Sequence, residues 1–360
     1  MQAALVDGRF LPGDVEIDDG LIRGVGVPGG AASGIAAPGF VDLQVNGFAG
    51  VDLMTADRAG YLRVGEALLA TGTTAFQPTF VTAPERALVA ALRELPSADI
   101  GPRVLGAHLE GPFLSPRRPG AHDPRWLSLP DLGLLRRLLD AGPVSQVTLA
   151  PELPGAFELI DELLERGVTV SAGHTDATAA EAQLAFDRGV RTVTHLFNAM
   201  RPSTARDPSL AWSALARNDV VVQLIVDLHH LAADTVLMAW NAASSRIALV
   251  TDAAPAAATG DGSFHLGGHE VHASAGVVRR PEGQLAGSAL TMIDAVRNLH
   301  ELGVSLEAAL RAASEVPARV AQRPELGRLA PGAPADIVVL DDRLDVIRVL
   351  VEGRERVART

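Results

Sequence analysis

The sequence contains no cysteine and no lysine, and each absence excludes a class of chemistry. Without cysteine there are no disulfides, thiolate metal sites or thiol nucleophiles, and we expect a reducing compartment, the cytoplasm. Because all 31 basic side chains are arginine, a Schiff-base lysine, a Walker A lysine and the carboxylated lysine that bridges two metals in some hydrolases are excluded too.

Long apolar runs and an excess of positive charge are also missing. The longest charge-free run, residues 24–41, contains six glycines and two prolines, so we expect no membrane span. The acidic N-terminal stretch shows no secretion signal. A net charge of -12 argues against nucleic-acid binding, which requires a basic face.

A repeating alternation of short apolar runs and helical patterns is present from residue 38 to 252. This alternation is typical of βα units around a parallel sheet. Eight strands are predicted, and eight is the number in a (β/α)₈ TIM-type barrel. They are Gly39–Val45, Thr73–Pro78, Arg103–Leu109, Gln146–Ala150, Gly167–Ala172, Arg191–His195, Val220–Val226 and Ile247–Thr251. The α/β barrel is therefore predicted over residues 39–328.

The two ends of the chain differ from this middle part. Both consist of short alternating strands separated by Asp-Gly, Pro-Gly and Glu-Gly turns. Neither end could form a stable sheet alone. We therefore predict that residues 1–38 and 329–360 together form one small β-sandwich domain.

Polar residues follow most of the predicted strands, at the barrel end where active sites form. They are Gln44 and Asn46 on the first strand, Glu110 after the third, His174 after the fifth, His195 after the sixth, His229 and His230 after the seventh, and Asp252 after the eighth. Because strand side chains alternate in direction, at most one residue of the histidine doublet should point inward. The sequence thus places one polar cluster at one mouth.

One carboxylate and two imidazoles in this cluster form a catalytic zinc-type ligand set, namely Glu110, His174 and His195. Each residue alone has a structural alternative: a turn carboxylate for Glu110, and a helix cap or a buried core histidine for the other two. Asp252 could cap a turn, but beside a metal it is placed to accept a proton from water.

The remaining histidines are less informative. His122 lies in a long loop after the third strand and, taken alone, could be a solvated surface residue. His265, His269, His272 and His300 fit hairpin or helix faces, and we assign them no role.

Eight motifs occur in the order found in one known family. They are "FVDLQVNG", "HLEGPF", "GAH", "SAGHTDAT", "THLFNAM", "IVDLHHL", "LVTDA" and "LAGSALTM". Together they resemble the N-acetylglucosamine-6-phosphate deacetylases of the amidohydrolase superfamily, over nearly the whole chain. Leu228 is a departure, since relatives often have glycine after the aspartate of "DLHH".

The resemblance implies a role for each candidate residue. Glu110, His174 and His195 would bind one divalent ion, with zinc preferred over iron, cobalt or manganese. Gln44 and Asn46 would replace the His-x-His pair of the wider superfamily, as a remnant of a second metal site. Asp252 would be the catalytic acid and base, and His122 would orient the reacting carbonyl. Asn198, Ala199, His230 and an Arg206 lent by the neighbouring subunit of a homodimer would bind the phosphorylated sugar.

The implied activity is hydrolysis of N-acetylglucosamine 6-phosphate to glucosamine 6-phosphate and acetate. Three alternatives stay open. The first is the same reaction on the galactosamine or mannosamine isomer. The second is hydrolysis of cyclic amides or acylated amino acids, although most such enzymes with two metals use His-x-His and a bridging Lys or Cys. The third is a non-catalytic barrel, which would be expected to have lost a metal ligand or Asp252.

Overall fold

A computed structural model describes residues 2–29 and 33–358 of the chain. Its central element is a nearly closed barrel of eight parallel strands, as the sequence predicts. The strands are Phe40–Val45, Thr73–Val81, Ala107–Glu110, Val144–Leu149, Thr169–Ala172, Thr192–Val193, Val221–Leu224 and Ile247–Leu249. The eighth and first strands meet through local bonds, such as Asn46 N–H to the Ala253 carbonyl (2.9 Å).

Several predicted strands are shorter than the sequence indicates, and two of these differences have a backbone cause. Residues 103–109 form two strands, Arg103–Val104 and Ala107–Glu110, because Gly106 between them has a φ of 89° that does not continue a strand. The sixth strand ends at Val193, and His195 already has a left-handed φ of 29°. The side chain of His195, in the second of these turns, lines the cavity at the barrel mouth.

Helices follow each barrel strand and cover the outside of the barrel. They are Arg58–Ala70, Glu85–Arg93, Leu132–Ala141, Ala156–Glu165, Ala179–Arg188, Leu210–Ala216, Ala233–Ala243 and Met292–Glu301, with Leu306–Ala313 and Glu315–Val320 completing the set. The helix Leu132–Ala141 illustrates the pattern: Asp131 caps its first turn, Leu135 and Leu138 are buried, and Gly142 is its C-cap. None of the described helices is long and apolar enough to cross a membrane.

The chain ends meet in one six-stranded sheet beside the barrel. In spatial order its strands are Arg9–Pro12, Ala3–Val6, Ile35–Pro38, Ile337–Leu340, Val346–Val351 and Arg354–Ala358. A hairpin of Asp14–Asp18 and Leu21–Val27 shares an apolar cluster with this sheet, which includes Ala4, Ile22 and Ile337. The domain division at residues 38/39 and 328/329 stays a prediction, and its residues 1, 30–32, 359 and 360 lie outside the described ones.

The segment between the eighth strand and its helix forms a separate small sheet over the barrel mouth. Its antiparallel strands are Gly262–Leu266, His269–Ser274 and Val277–Arg279. Leu266, Val271 and Val278 are buried in a cluster of their own, against which Ala121 of a neighbouring loop packs. We call residues 262–286 the insert.

Candidate active site

The predicted metal ligands converge because each lies at or just beyond the end of a barrel strand. Glu110 is the last residue of the third strand, while His174 and His195 follow the ends of the fifth and sixth strands. All three are buried, with at most 4% of each residue exposed. The barrel therefore brings the three side chains to one point, as parallel strands with a common direction require.

The ligand atoms of these three residues are close enough to share one cation. Glu110 Oε1 lies 2.9 Å from His195 Nε2 and 3.2 Å from His174 Nε2, and the two imidazole nitrogens are 3.1 Å apart. In a tetrahedral zinc site with bonds of about 2.05 Å, ligand atoms lie roughly 3.3 Å apart. The cluster suits a single divalent metal ion.

The hydrogen-bond partner of His174 fixes which of its nitrogens can bind a metal. His174 Nδ1 lies 3.1 Å from the carbonyl oxygen of Arg118, which can only accept, so Nδ1 carries the proton. Nε2 then presents a lone pair toward Glu110. Such a carbonyl partner is the usual way in which proteins orient a metal-binding imidazole.

His122 has the opposite proton arrangement. Its Nε2 lies 3.6 Å from Glu110 Oε2, and its ligand atom lies with those of Glu110 and His174 in a group that is compact enough for a metal. However, the backbone N–H of Thr82 donates to His122 Nδ1 (3.2 Å). In the neutral ring the proton is therefore on Nε2, which faces the cluster as a hydrogen-bond donor rather than a ligand.

Asp252 is held next to the cluster by two amides. Asn46 Nδ2 donates to Asp252 Oδ1 over 2.7 Å. Gln44 Nε2 lies 2.9 Å from the same oxygen and 3.1 Å from Glu110 Oε1. One amide nitrogen with two hydrogens thus separates two buried carboxylates that would otherwise repel each other.

The residues predicted to bind the sugar phosphate occupy two neighbouring turns. Asn198 N–H donates to the His195 carbonyl (3.0 Å) and is therefore not available to a ligand. Ala199, with a left-handed φ of 49°, follows it and lines the cavity. Its backbone N–H has no acceptor among the described residues.

One side chain of the histidine doublet is buried, although both residues lie in a bend beyond the strand Val221–Leu224. His229 is exposed, whereas the side chain of His230 is 6% exposed and lines the cavity. His230 Nδ1 lies 2.7 Å from Asp227 Oδ2, and the same carboxylate accepts both backbone N–H groups of the doublet. Arg206 is exposed and does not line the cavity of its own chain within the described part.

These side chains line a cavity of about 340 Å³ at the barrel mouth. Its polar wall contains Asp252, the histidines and Asn198, and its apolar wall comes largely from the insert, including Leu266, Val271 and Leu285. The insert also contributes His269 and Arg280, which the sequence analysis left without a role. The pairing of His269 with distant loop residues depends on tertiary contacts that have no local sequence signal.

The chain matches the sequence pattern described as "Amidohydrolase family" over residues 35–356. It belongs to the amidohydrolase family.

Three relatives support this at the level of whole chains. The N-acetylglucosamine-6-phosphate deacetylase of Lysinibacillus sphaericus is 35% identical and covers 89% of this chain and 85% of its own length. The enzyme of that name from Homo sapiens is 38% identical, covering 89% and 82%. The N-acetylgalactosamine-6-phosphate deacetylase of Escherichia coli O157:H7 is 36% identical, covering 89% and 87%.

Solved structures agree with these matches. A mutant of the Mycobacterium smegmatis N-acetyl-D-glucosamine-6-phosphate deacetylase, in complex with N-acetyl-D-glucosamine-6-phosphate, superimposes with a TM-score of 0.94. It is 34% identical and covers 99% of this chain and 98% of its own. The Thermotoga maritima N-acetylglucosamine-6-phosphate deacetylase gives a TM-score of 0.91 at 31% identity, covering 99% and 98%.

Burial shifts the acid–base properties of this amidohydrolase site. Burial, with the nearby charge of Glu110, raises the pKa of Asp252 to about 6. Burial also acts to raise the pKa of Glu110, but its close contacts with His122, His174 and His195 outweigh burial and hold that pKa well below its usual range. Two adjacent carboxyl groups therefore have pKa values that are pushed apart, a pattern typical of an acid–base residue beside a permanently charged ligand.

Left-handed backbone is concentrated at the mouth of this amidohydrolase barrel. His174, His195 and Asp252 have φ angles of 48°, 29° and 50°, a conformation that is unfavourable for residues other than glycine. Such strain is tolerated where the surrounding structure determines it, and it clusters at functional sites. The loop that faces His174 needs glycine at position 120, where a Cβ atom would lie 2.9 Å from His174 Cε1.

Proposed function

We propose that this protein hydrolyses the acetamide of N-acetylglucosamine 6-phosphate to glucosamine 6-phosphate and acetate, with one divalent ion per chain. The observation that supports it most is the convergence of Glu110 Oε1 and two imidazole Nε2 atoms within 2.9–3.2 Å, next to a carboxyl group whose pKa is near 6. Metal-dependent amide hydrolysis uses a set of metal ligands next to a residue that transfers protons.

The arrangement of the ligand atoms in the structure itself supports a bound metal ion. His174 Nε2 and His195 Nε2 face each other at 3.1 Å, and the first presents a lone pair. A shared cation would remove the repulsion between this lone pair and the buried carboxylate of Glu110. We propose Glu110, His174 and His195 as the ligands and zinc as the ion. When bound, the ion polarises the amide carbonyl and makes water acidic enough to deliver hydroxide near neutral pH.

Asp252 moves the proton in this proposal. Held through Oδ1 by Asn46 and Gln44, it accepts the proton of the attacking water with its remaining oxygen. It then gives that proton to the amine nitrogen as the C–N bond breaks, so that glucosamine 6-phosphate leaves as a neutral amine. His122 Nε2–H donates to the carbonyl oxygen, where negative charge develops.

We propose that the turn of Asn198 and Ala199, through the Ala199 N–H, and an Arg206 from a partner subunit contact the phosphate, since a guanidinium and a backbone N–H are both suited to phosphate. His230 is proposed to contact the same substrate. The face that would meet the partner exposes a large apolar side chain on each of three neighbouring helices: Leu184, Trp212 and Met238 are 58%, 40% and 47% exposed. Such a face is typical of a subunit interface.

The sugar isomer is the part of the proposal that needs a direct experiment, because relatives of both names are similarly identical to this chain. Acetate release should be measured with N-acetylglucosamine, N-acetylgalactosamine and N-acetylmannosamine 6-phosphates, and with a cyclic amide and an acylated amino acid. The highest kcat/KM should belong to the glucosamine derivative. A higher kcat/KM for another isomer would identify that isomer as the substrate instead. Acetate release from none of these compounds would indicate that the barrel is not catalytic.

A further inference from the structure

The insert contacts both neighbours of His122. Arg280 Nη1 donates to the carbonyl oxygen of Ala121 over 2.9 Å, and His269 Nε2 lies 3.5 Å from Asp123 Oδ2. Ala121 also packs against the apolar cluster of the insert. The short loop that positions His122 is therefore fastened to the insert on both sides of that residue.

Arg280 and His269 act as one unit. Arg280 Nη2 lies 3.1 Å from His269 Nδ1, and because a guanidinium can only donate, Nδ1 is the acceptor. In the neutral ring the His269 proton is then on Nε2, the nitrogen that faces Asp123. Arg280 thus hydrogen-bonds His269, whose Nε2–H faces Asp123 at 3.5 Å. Asp123 is only 6% exposed, and its carboxylate also accepts hydrogen bonds of 2.5–3.0 Å from the Arg125 guanidinium.

An edge contact with the His174 ring, at a centroid distance of 4.5 Å, and two hydrogen bonds also hold His122. The Thr82 N–H bonds its Nδ1 at 3.2 Å, and its own backbone N–H bonds the Pro119 carbonyl at 3.0 Å. A buried imidazole that must donate through Nε2 needs its backbone fixed as well as its ring, because a displacement of about 1 Å can cost on the order of 10²-fold in rate.

We propose that Arg280 is a positioning residue, which holds His122 in its donating orientation by fixing Ala121 directly and Asp123 through His269. The kinetic part of this inference rests on the deacetylation proposed above, whereas the structural part does not. The insert then does more than line the cavity, because it also holds the loop that contains His122 in place.

Arg280→Ala and Arg279→Ala form a matched pair for the test. Arg279, which directly precedes Arg280, is exposed at the end of the strand Val277–Arg279. Its guanidinium bonds Gly283 within the insert, so its loss leaves the His122 loop untouched. Hydrogen–deuterium exchange of residues 116–123 is measured first, because it needs no substrate. Faster exchange is expected in Arg280→Ala alone; equal exchange in both variants would overturn the proposal.

The kinetic arm uses a double-mutant cycle with His122→Ala. Arg280→Ala should lower kcat roughly 10- to 100-fold with little change in KM or metal content, and should cost nothing further when His122 is already alanine. A full additional loss in the double variant would mean that Arg280 contacts substrate itself. Arg280→Lys retains one donor but not the planar fork, so its kcat should lie between those of wild type and Arg280→Ala. This variant provides the test if Arg280→Ala folds poorly. A wild-type protein without acetate release would refute the proposed function while leaving the exchange result to decide this inference.

Discussion

The side-chain amide of Asn46 donates a 2.7 Å hydrogen bond to the carboxylate of Asp252. Gln44 Nε2 lies 2.9 Å from the same oxygen, and we propose that this amide pair replaces the His-x-His pair of the wider superfamily. The amide nitrogens of this pair donate to Asp252 and so support its charged form. This geometry supports the proposal of a one-metal site in which Asp252, held by two amides, accepts the proton.

Replacing Asp252 by asparagine tests the proposed proton transfer. The change keeps the size of the side chain but removes the basic oxygen, so kcat should fall by about 10² to 10⁴, while metal content and substrate affinity are retained. Asp234→Asn, on an exposed helix position, is the control and should behave like wild type. Near-normal turnover of Asp252→Asn, measured with metal analysis of the same sample, would remove Asp252 from the mechanism.

Arg206→Ala tests the proposed phosphate contact between subunits. A charge-assisted contact contributes about 1.5–3 kcal/mol, which corresponds to a rise in KM of about 10- to 100-fold for the phosphorylated sugar. Activity on the unphosphorylated sugar should hardly change, and this comparison is the internal control.

Mixing Arg206→Ala with Asp252→Asn protein then tests whether the arginine crosses the interface. A mixed dimer pairs an intact Asp252 with an intact Arg206 from its partner, so activity should exceed that of either variant alone. Native mass analysis must first show mixed dimers. Mixed dimers without restored activity would place the arginine in its own site or in none.

Leu228 should be a site where a substitution stabilises the fold. It is 41% exposed and has a left-handed φ of 61°, which costs a branched side chain roughly 1 kcal/mol. Leu228→Asn should therefore raise the free energy of unfolding by about 0.5–1 kcal/mol, measured by urea denaturation. Leu129→Asn, at an exposed position outside the left-handed region, should change it little; equal effects at both positions would argue against backbone strain.

The sequence was sufficient to predict the barrel and the end of it at which the proposed metal ligands meet. Strand periodicity predicts all eight strands, and parallel strands necessarily place Glu110, His174 and His195 at one end. Periodicity does not predict which nitrogen of His122 is protonated, because that depends on the Thr82 N–H, nor the contact of Arg280 with a loop about 160 residues earlier in the chain. Contacts between loops that are distant in sequence leave no local pattern.

Asp42, buried beneath the site, should make stability depend on pH in a direction opposite to that of most carboxylates. Burial outweighs hydrogen bonds from Thr251 and Gln44 and raises the pKa of Asp42 from 3.8 to about 7. The folded state therefore keeps a proton that the unfolded chain loses, and this residue's contribution to stability falls as pH rises from about 4 to 7.

Asp42→Asn removes that titration. The free energy of unfolding of the variant minus that of wild type should rise between pH 4 and 7 and then level off, when both are measured by urea denaturation across this range. A difference that stays flat from pH 4 to 8 would show that Asp42 ionises normally in the folded protein.

The measurement that tests the central claim most directly is the release of acetate and glucosamine 6-phosphate from N-acetylglucosamine 6-phosphate as a function of metal content. Protein stripped with a chelator should be inactive, and activity should return in proportion to added zinc until one ion per chain is bound, with both products formed in equal amounts. Activity that persists without metal, or that rises only between one and two ions per chain, would contradict a one-metal site of Glu110, His174 and His195.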